Sequence, residues 1–158
     1  ICFGGKGHFA TGVSISVSKN GKLVIGEEFV ISSRVKFVCH TRIEIGNWAR
    51  IAWESQLFDT NFHYVVELSS GTYLNIKTPI LIGDNVWIGN RTTVQPGTII
   101  PMYCIVTSNS LCNKDYSSIP PYSIIGGIPA KLLKTGYKRI FSYAEQNEIT
   151  RKLGLEPD

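Results

Sequence analysis

The sequence predicts an all-β fold, a parallel β-helix, from a six-residue repeat and from the two kinds of residue that recur inside it. An apolar residue opens each hexad, at Ile82, Ile88, Val94, Ile100, Val106 and Cys112. A second, mostly smaller residue follows four places later, at Val86, Thr92, Thr98, Cys104 and Ser110. In a β-helix the first residue fills the interior of each rung and the second fits near a corner, so that stacked coils share one core.

The same period runs upstream, with offsets between its blocks. The earlier hexad residues are Phe3, Phe9 and Ile15, then Ile25 and Ile31, then Ile45, Ile51 and Leu57. The steps from Ile15 to Ile25 and from Ile31 to Ile45 are not multiples of six. We interpret these offsets as short insertions at coil corners, around residues 18–21 and 39–42, because surface corners tolerate added residues.

The longest interruption runs from Asp59 to Pro79 and carries no hexad. A structureless stretch of this length inside a compact repeat domain is usually a functional loop. We therefore predict a β-helix domain over residues 1–134 with an insertion loop over 59–79.

A short C-terminal α-helix is predicted in the remaining tail, residues 135–158. Ser142 and Glu145 have the spacing of a capping box. Ile149 and Leu153 supply an apolar stripe, and Gly154 stands where a helix would end.

The composition is that of one globular domain, with 158 residues, 43% hydrophobic and 18% charged. No run of residues is long and apolar enough to cross a bilayer, so no transmembrane segment is predicted. The first residue is Ile1 rather than methionine and no signal-peptide pattern follows, so we expect a further N-terminal segment to precede it.

The net charge of +4, from 16 basic and 12 acidic side chains, suits phosphate-bearing small ligands better than long polyanions. The cations Arg34, Lys36, Arg42 and Arg50 are too sparse along the coils to form a track for nucleic acid. We therefore predict no nucleic-acid partner.

Four cysteines, Cys2, Cys39, Cys104 and Cys112, are far apart and contain no C-x-x-C pair. Cys104 and Cys112 fall on hexad positions that should point inward. We interpret the four as buried free thiols, which favours a reducing compartment and hence the cytoplasm.

His63 is the candidate general base. It lies in the long interruption, four residues after the carboxylate of Asp59. An imidazole can accept a proton from a hydroxyl that attacks an acyl group, and a nearby carboxylate can orient it. The alternative is an ordinary surface histidine. His8 and His40 are predicted to be corner residues.

A metal site is not predicted, because no two histidines lie a few residues apart and Arg42 closely follows His40. Cysteine nucleophile chemistry is not favoured either, because Cys39 and His40 are neighbours on a strand and point to opposite faces. Direct transfer assisted by a general base is the simpler mechanism.

Several motifs resemble the signature of the hexapeptide-repeat acyltransferases. They are Val86-Trp87-Ile88-Gly89, Pro96-Gly97, Lys114-Asp115 and Ile125-Gly126-Gly127-Ile128-Pro129-Ala130-Lys131. Within this family the chain is similar to the maltose, galactoside and xenobiotic acetyltransferase branch over about residues 21–134. The upstream part, with Ile45-Gly46-Asn47, Ile51-Ala52-Trp53 and the Asp59 to His63 stretch, is closer to O-acetyltransferases of surface-polysaccharide assembly.

The resemblance implies a left-handed β-helix, an active homotrimer and acetyl-CoA in the groove between subunits, with no metal. It implies that His63 is the base and that Asp59 orients His63 or the acceptor. Trp87 would lie against the pantetheine arm. Asn90 and Ser108 would offer it backbone groups, and the Asn90 amide would be an oxyanion donor. The remaining cofactor residues would meet the CoA phosphates, at Lys114, Lys131 and Lys134.

The chain departs from the family pattern at Thr107-Ser108-Asn109-Ser110, where glycine and alanine are common, at Asn113, and at Lys131, where some relatives have arginine. Lysine keeps the charge and loses the planar fork. For the acceptor, a sugar or polysaccharide precursor, the candidate contacts are Trp53, Asn61 and Tyr64, with Tyr73 further along the loop. Two alternatives stay open: N-acetylation of an amino sugar, including nucleotide-linked ones, and a noncatalytic β-helix scaffold.

Overall fold

The computed structural model describes residues 1–155 and shows a β-helix built from coils of three short strands. The first three coils contain β1 (Cys2–Phe3), β2 (Gly7–Phe9) and β3 (Ser14–Val17); β4 (Lys22–Ile25), β5 (Phe29–Ile31) and β6 (Lys36–Cys39); and β7 (Arg42–Ile45), β8 (Arg50–Ile51) and β9 (Gln56–Phe58). After the hairpin strands β10 (Val66–Glu67) and β11 (Thr72–Tyr73) come two more coils, with β12 (Ile80–Ile82), β13 (Trp87–Ile88) and β14 (Thr93–Val94), then β15 (Ile99–Ile100), β16 (Ile105–Val106) and β17 (Leu111–Cys112). The last elements are β18 (Ser123–Gly126), β19 (Lys131–Thr135) and α1 (Tyr143–Lys152).

Successive coils stack in parallel and form three faces. The first face has the order β1-β4-β7-β12-β15, the second β2-β5-β8-β13-β16-β18-β19, and the third β3-β6-β9-β14-β17. All pairings within these faces are parallel except the last, between β18 and β19, which is antiparallel. The prediction of a parallel β-helix is confirmed.

The interior contains the hexad residues. On the second face Ile31, Ile51, Ile88 and Val106 lie one above another in register, and each is at most 1% exposed. The smaller residues predicted near the corners are buried as well, at Val86, Thr92, Thr98, Cys104 and Ser110. The six-residue period thus specifies both layers of the core.

The first coil is more open than the others. Phe3 is 45% exposed, and Phe9 and Ile15 are half-buried, although all three hold hexad positions. Phe3, Phe9 and Phe29 form an aromatic cluster with ring centroids 4.9–5.8 Å apart. This cluster packs over the end of the core at the first described coil.

Three edges join the faces, and we number them in chain order: the first edge joins the first and second faces, the second edge joins the second and third, and the third edge returns to the next coil. The first two edges are tight turns through residues with left-handed backbone. These are Glu28, Trp48, Asn85, Tyr103 and Tyr122 on the first edge, and Arg34, Glu54, Arg91 and Asn109 on the second, with φ between 53° and 62°. Such a φ is unfavourable for residues with a Cβ, so stacking must hold these turns in place.

The interruptions of the six-residue repeat before residue 80 lie on the third edge. Residues 18–21 form a hydrogen-bonded turn there, and residues 39–42 form the corner between β6 and β7. Both offsets in the repeat therefore lie at corners, as predicted, and both lie on the same edge.

Residues 59–79, which we call the arm, leave the same edge between β9 and β12. Its base is held by Thr78 N–H donating to Asp59 O (3.1 Å) and Asn61 N–H donating to Ile76 O (2.7 Å). Its tip is the antiparallel pair β10 and β11. The segment predicted as an insertion loop folds back on itself and satisfies much of its backbone locally.

Three of the four cysteines, Cys39, Cys104 and Cys112, are buried free thiols, as predicted, whereas Cys2 is exposed on the open first coil. Burial raises the pKa of Cys112 to about 12 and also raises the pKa of Cys104. These inward thiols therefore act as small apolar core residues.

The predicted C-terminal helix is α1. Ser142 is its N-cap and its hydroxyl accepts a hydrogen bond from Glu145 N–H (3.4 Å), while Gly154 adopts a positive φ just beyond the C-cap. Of its apolar stripe, Ile149 is half-buried and Leu153 is 67% exposed. Among residues 1–155 no helix is long and apolar enough to cross a membrane.

Truncation of an interior hexad residue should cost far more stability than the same truncation on the arm. Leu57 is fully buried in β9, and Leu68 at the arm tip is 92% exposed. We expect Leu57→Ala to lower the free energy of unfolding by about 2–5 kcal/mol, through lost burial and a cavity, and Leu68→Ala by less than about 0.5 kcal/mol. Urea unfolding at matched protein concentration measures both, and equal losses would contradict the core described above.

Candidate active site

A cleft of about 240 Å³ lies on the second face beside the second edge, and we call it the second-face cleft. Its walls include Arg50, Trp53, Trp87, Asn90 and Ser108. Trp53 is 48% exposed and Trp87 39% exposed, so both indole rings face solvent. Four of these five residues are candidates named from the sequence, and the fold brings them together from coils three, four and five.

Strand register explains this convergence. Trp87 in β13 pairs with Arg50 in β8, and the next residues, Ile88 and Ile51, pair with each other. Because neighbouring residues on a strand point to opposite faces, the two isoleucines enter the core while Arg50 and Trp87 point outward. Arg50 was missed in the sequence as a site residue, although its place directly before the hexad residue Ile51 predicts that it points outward.

The polar wall of the cleft lies at the turn between coils four and five. The Ser108 hydroxyl donates to Asn90 Oδ1 (2.5 Å), and Asn109 N–H donates to Asn90 O (2.9 Å). A Cβ on Gly89 would lie 2.5 Å from Ser108 N, so glycine allows the two coils to approach there. Within residues 1–155 the backbone N–H of Asn90 donates no hydrogen bond, so it is available to a hydrogen-bond acceptor on a ligand.

The three candidate lysines lie at the C-terminal end of the β-helix, on two different edges. Lys131 and Lys134 belong to β19, the last strand of the second face. Lys114 follows β17 at the third edge, and its Nζ lies 5.5 Å from the centroid of the Tyr116 ring. All three side chains are exposed, so their charges are available to a ligand.

His63 lies near the base of the arm, beyond the third edge. Its N–H donates to Asn61 O (2.7 Å), and the imidazole is exposed. The adjacent Phe62 packs 6.1 Å from the rings of His40 and Phe58, which anchors this part of the arm to the third edge. Tyr64, the next residue, is 76% exposed.

Asp59 is fully buried and holds the third edge together. Its carboxylate accepts hydrogen bonds from the N–H groups of His40 (2.6 Å), Thr41 (2.7 Å) and Arg42 (2.7 Å), and from the Thr41 hydroxyl (2.9 Å). Among the described residues these four donors are its hydrogen-bond partners, and His63 is not one of them. The role of Asp59 in orienting His63 stays a prediction, and what the structure shows is a carboxylate that fixes the corner beneath the arm.

The candidate residues thus form two groups on different edges. One group shares the second-face cleft: Trp53, Trp87, Asn90 and Ser108. The other group lies on the arm at the third edge: Asp59, Asn61, His63 and Tyr64.

The other two histidines lie elsewhere. His8 lies within β2 and not at a corner as expected, while His40 is a corner residue. No group of three or more His, Cys, Asp or Glu side chains that could hold a metal ion is found within residues 1–155.

No protein-family model matches the chain. Among curated proteins it is 28% identical over 137 residues to WbbJ of Escherichia coli K12, provisionally named as a lipopolysaccharide biosynthesis O-acetyl transferase, with 80% of this chain and 68% of WbbJ covered. It is also 28% identical to the galactoside O-acetyltransferase of the same organism, with 74% of this chain covered. The chain spans 56% of the length of that second relative.

A solved structure gives the same result. The hexapeptide-repeat containing-acetyltransferase VCA0836 of Vibrio cholerae O1 biovar eltor, complexed with acetyl coenzyme A, is 26% identical, with a TM-score of 0.66 over 84% of this chain and 71% of that protein. The chain therefore has a hexapeptide repeat and a β-helix fold, and it is similar to proteins named as O-acetyltransferases and as a hexapeptide-repeat acetyltransferase, in agreement with the family resemblance of its sequence.

Proposed function

We propose that the protein transfers an acetyl group from acetyl-CoA to a hydroxyl of a sugar or polysaccharide precursor. The observation that carries this proposal is the second-face cleft, in which Trp87, Asn90 and Ser108 converge on a chain whose homologues are acetyltransferases. The acceptor class is supported by the galactoside and lipopolysaccharide relatives.

The chemistry of the cleft suits the pantetheine arm of CoA. The Trp87 ring offers an apolar wall, and the Asn90 N–H offers a hydrogen-bond donor at a place where Gly89 keeps the coils close. Lys131 and Lys134 lie farther along the second face, where their charges would meet phosphate groups. Bound there, acetyl-CoA supplies an acetyl thioester.

A complete site needs a second copy of the chain. His63 and Lys114 lie at the third edge, and the second-face cleft lies on the far side of the second edge. A cyclic assembly places the third edge of one copy against the second face of the next. We propose a homotrimer with three such clefts, as the resemblance to the hexapeptide-repeat acyltransferases implies.

In this arrangement each residue has a separate task. His63 accepts the proton of the acceptor hydroxyl as the oxygen attacks the thioester carbon; the C–S bond then breaks, and His63 returns the proton so that CoA leaves as the free thiol. The Asn90 N–H donates to the oxygen on which negative charge develops. Trp53, Asn61 and Tyr64 border the acceptor and hold its hydroxyl near the thioester, which removes much of the entropic cost of a bimolecular step.

Thiol release from acetyl-CoA, measured with neutral sugars, amino sugars and oligosaccharides in turn, tests the proposed reaction. We expect release that depends on a hydroxyl acceptor, with an O-acetyl product by mass spectrometry. Release that requires an amino sugar would instead mean N-acetylation, and an absence of both release and CoA binding would mean a noncatalytic scaffold.

Removal of the Trp87 ring should weaken CoA binding selectively. We expect Trp87→Ala to raise the Kd for CoA about tenfold, because a half-buried aromatic contact is worth about 1–2 kcal/mol. Isothermal titration measures the change. Trp48→Ala, the same substitution on the first edge, should leave the Kd for CoA unchanged, and equal effects of both variants would remove Trp87 from the cofactor site.

A further inference from the structure

Two arginine side chains lie near the first edge: Arg50 borders the second-face cleft, and Arg139 stacks on Phe141, which lines a neighbouring cleft with Trp48. Arg50 Nη1 donates to Glu28 O (2.5 Å) and Ala49 O (3.1 Å), so its guanidinium is fixed on the surface of β8. Arg139, from the tail after β19, lies close enough for the charge of Arg50 to act on it, and its guanidinium stacks 4.1 Å from the centroid of the Phe141 ring. Burial and the neighbouring Arg50 charge lower the pKa of Arg139 to about 10, so it stays a cation at neutral pH.

Arg139 has donors that the described residues leave without acceptors. Its Nε and Nη2 atoms are buried, and neither has a hydrogen-bond partner within residues 1–155. Burial lowers the pKa of Arg50, and the nearby Tyr143 and Glu28 side chains act in the opposite direction. No ion pair within 4.0 Å joins a carboxylate to either arginine among these residues. Buried donors are nearly always paired in folded proteins. The Nε and Nη2 edge of a guanidinium matches the two oxygens of a carboxylate or phosphate.

An aromatic cleft of about 510 Å³ adjoins this pair along the first edge. It is lined by Trp48, Asn85, Tyr103, Tyr122, Lys138 and Phe141. Tyr103 and Tyr122 stack with ring centroids 4.7 Å apart and an interplanar angle of 17°. Phe141 connects the cleft with Arg139, because its ring lines the cleft and also stacks against the Arg139 guanidinium.

Exposed aromatic faces with an amide and an ammonium group among them suit a saccharide. The C–H faces of sugar rings pack on aromatic rings, and the hydroxyls meet polar groups at the rim. Trp48, Tyr103 and Tyr122 all occupy left-handed turns of the first edge, so their rings line one side of the cleft.

The arginine pair lies away from the cations proposed for CoA. Lys131 and Lys134 are on β19, four strands from β8 on the second face, which is roughly 19 Å at the usual strand spacing. Arg50 instead pairs with Trp87 on the adjoining strand. The pair therefore lies beside the end of the second-face cleft that is farther from β19.

We propose that the aromatic cleft and the Arg50–Arg139 pair form a binding site for a carboxylate-bearing saccharide, with sugar rings on Trp48, Tyr103 and Tyr122 and the carboxylate on the two guanidinium groups. Binding at this site does not depend on the proposed acetyl transfer. Its role in presenting the acceptor does rest on that proposed function.

Methyl β-glucuronide and methyl β-glucoside are matched probes, because they differ in one carboxylate for one hydroxymethyl group. We expect the glucuronide to bind the full chain at least about tenfold more tightly, in the absence of CoA, since a charge-assisted pair is worth a factor of this size or more. Arg139→Gln should abolish the difference between the probes. Arg151→Gln, which removes an exposed guanidinium on α1, should preserve it.

A further variant and two competing ligands separate the possible outcomes. Tyr103→Ala should weaken both probes alike, and thermal unfolding of each variant shows whether it is folded. Equal binding of the two probes to the wild type would overturn the proposal, as would displacement of the glucuronide by CoA or inorganic phosphate, which would make the pair a phosphate site. Glucuronide selectivity in a protein that releases no thiol from acetyl-CoA would uphold the binding site while the proposed function failed.

Discussion

Replacement of His63 by alanine is expected to lower kcat for acetyl transfer by about 10²- to 10⁴-fold, the usual contribution of a positioned general base. The imidazole is exposed on the arm and makes no hydrogen bond with the described residues. Only the backbone N–H of His63 is bonded, to Asn61 O. The second-face cleft does not include it. The Kd for CoA should therefore stay unchanged, and titration calorimetry beside steady-state kinetics tests both statements.

The control for this variant is His8→Ala. His8 is an exposed histidine of β2 on the second face, far along the coil axis from the arm. It should keep wild-type kcat. A parallel loss of CoA binding and turnover in His63→Ala would mean that the histidine supports the structure of the arm and does not act as a base.

Replacement of Asp59 by alanine is expected to lower the free energy of unfolding by about 3–5 kcal/mol. Its carboxylate is fully buried and accepts four hydrogen bonds, three of them from backbone N–H groups of the 39–42 corner. Those donors would lose their acceptor at a partly buried corner. The loss should appear as an earlier urea midpoint, measured at fixed protein concentration.

Asp115→Ala is the matched control, because Asp115 is exposed and accepts from the Ser117 N–H at the surface. We expect it to cost less than about 1 kcal/mol. Asp59→Asn keeps the side-chain volume, so its kcat at a temperature where it is folded separates an orienting role from a structural one. Unchanged stability of Asp59→Ala would contradict the hydrogen-bond network.

The hexads made the core predictable because each interior position takes one apolar residue and the register repeats without change. Ile51 and Ile88 were placed correctly for this reason. Val86 and Thr92 were also placed correctly, because a corner accepts only a side chain of limited size. In such a repeat, the place of a residue within its hexad determines whether its side chain points into the core, and this information is enough to predict each coil.

The shape of the arm was not predictable in the same way. Residues 59–79 carry no period, and their fold depends on pairings between Asp59 and Thr78 and between Val66 and Tyr73 that no short pattern marks. The burial of Asp59 was missed for a similar reason. Its partners lie in the 39–42 corner, about 20 residues earlier, and only coil stacking brings them together.

The division of the candidate residues between two edges also required the structure. Spacing along the chain says which residues point outward, as for Trp87 and Arg50, but the face on which an outward residue lies depends on the count of corners before it. The third-edge insertions change the number of residues between corners, so residue number alone does not give the face. Only the structure shows that His63 lies at the third edge and Trp87 on the second face of the same chain.

The asymmetry among the three edges makes the protein a natural display scaffold. The first two edges admit no extra residue, because a left-handed turn of fixed length stacks on the next one. The third edge already accepts a four-residue turn and a 21-residue arm without disturbing the register of β9 with β14. Since the entropic cost of a longer loop grows only slowly with length, a guest peptide joined between Ser69 and Ser70 is expected to be carried outward while the coils beneath it keep their stacking.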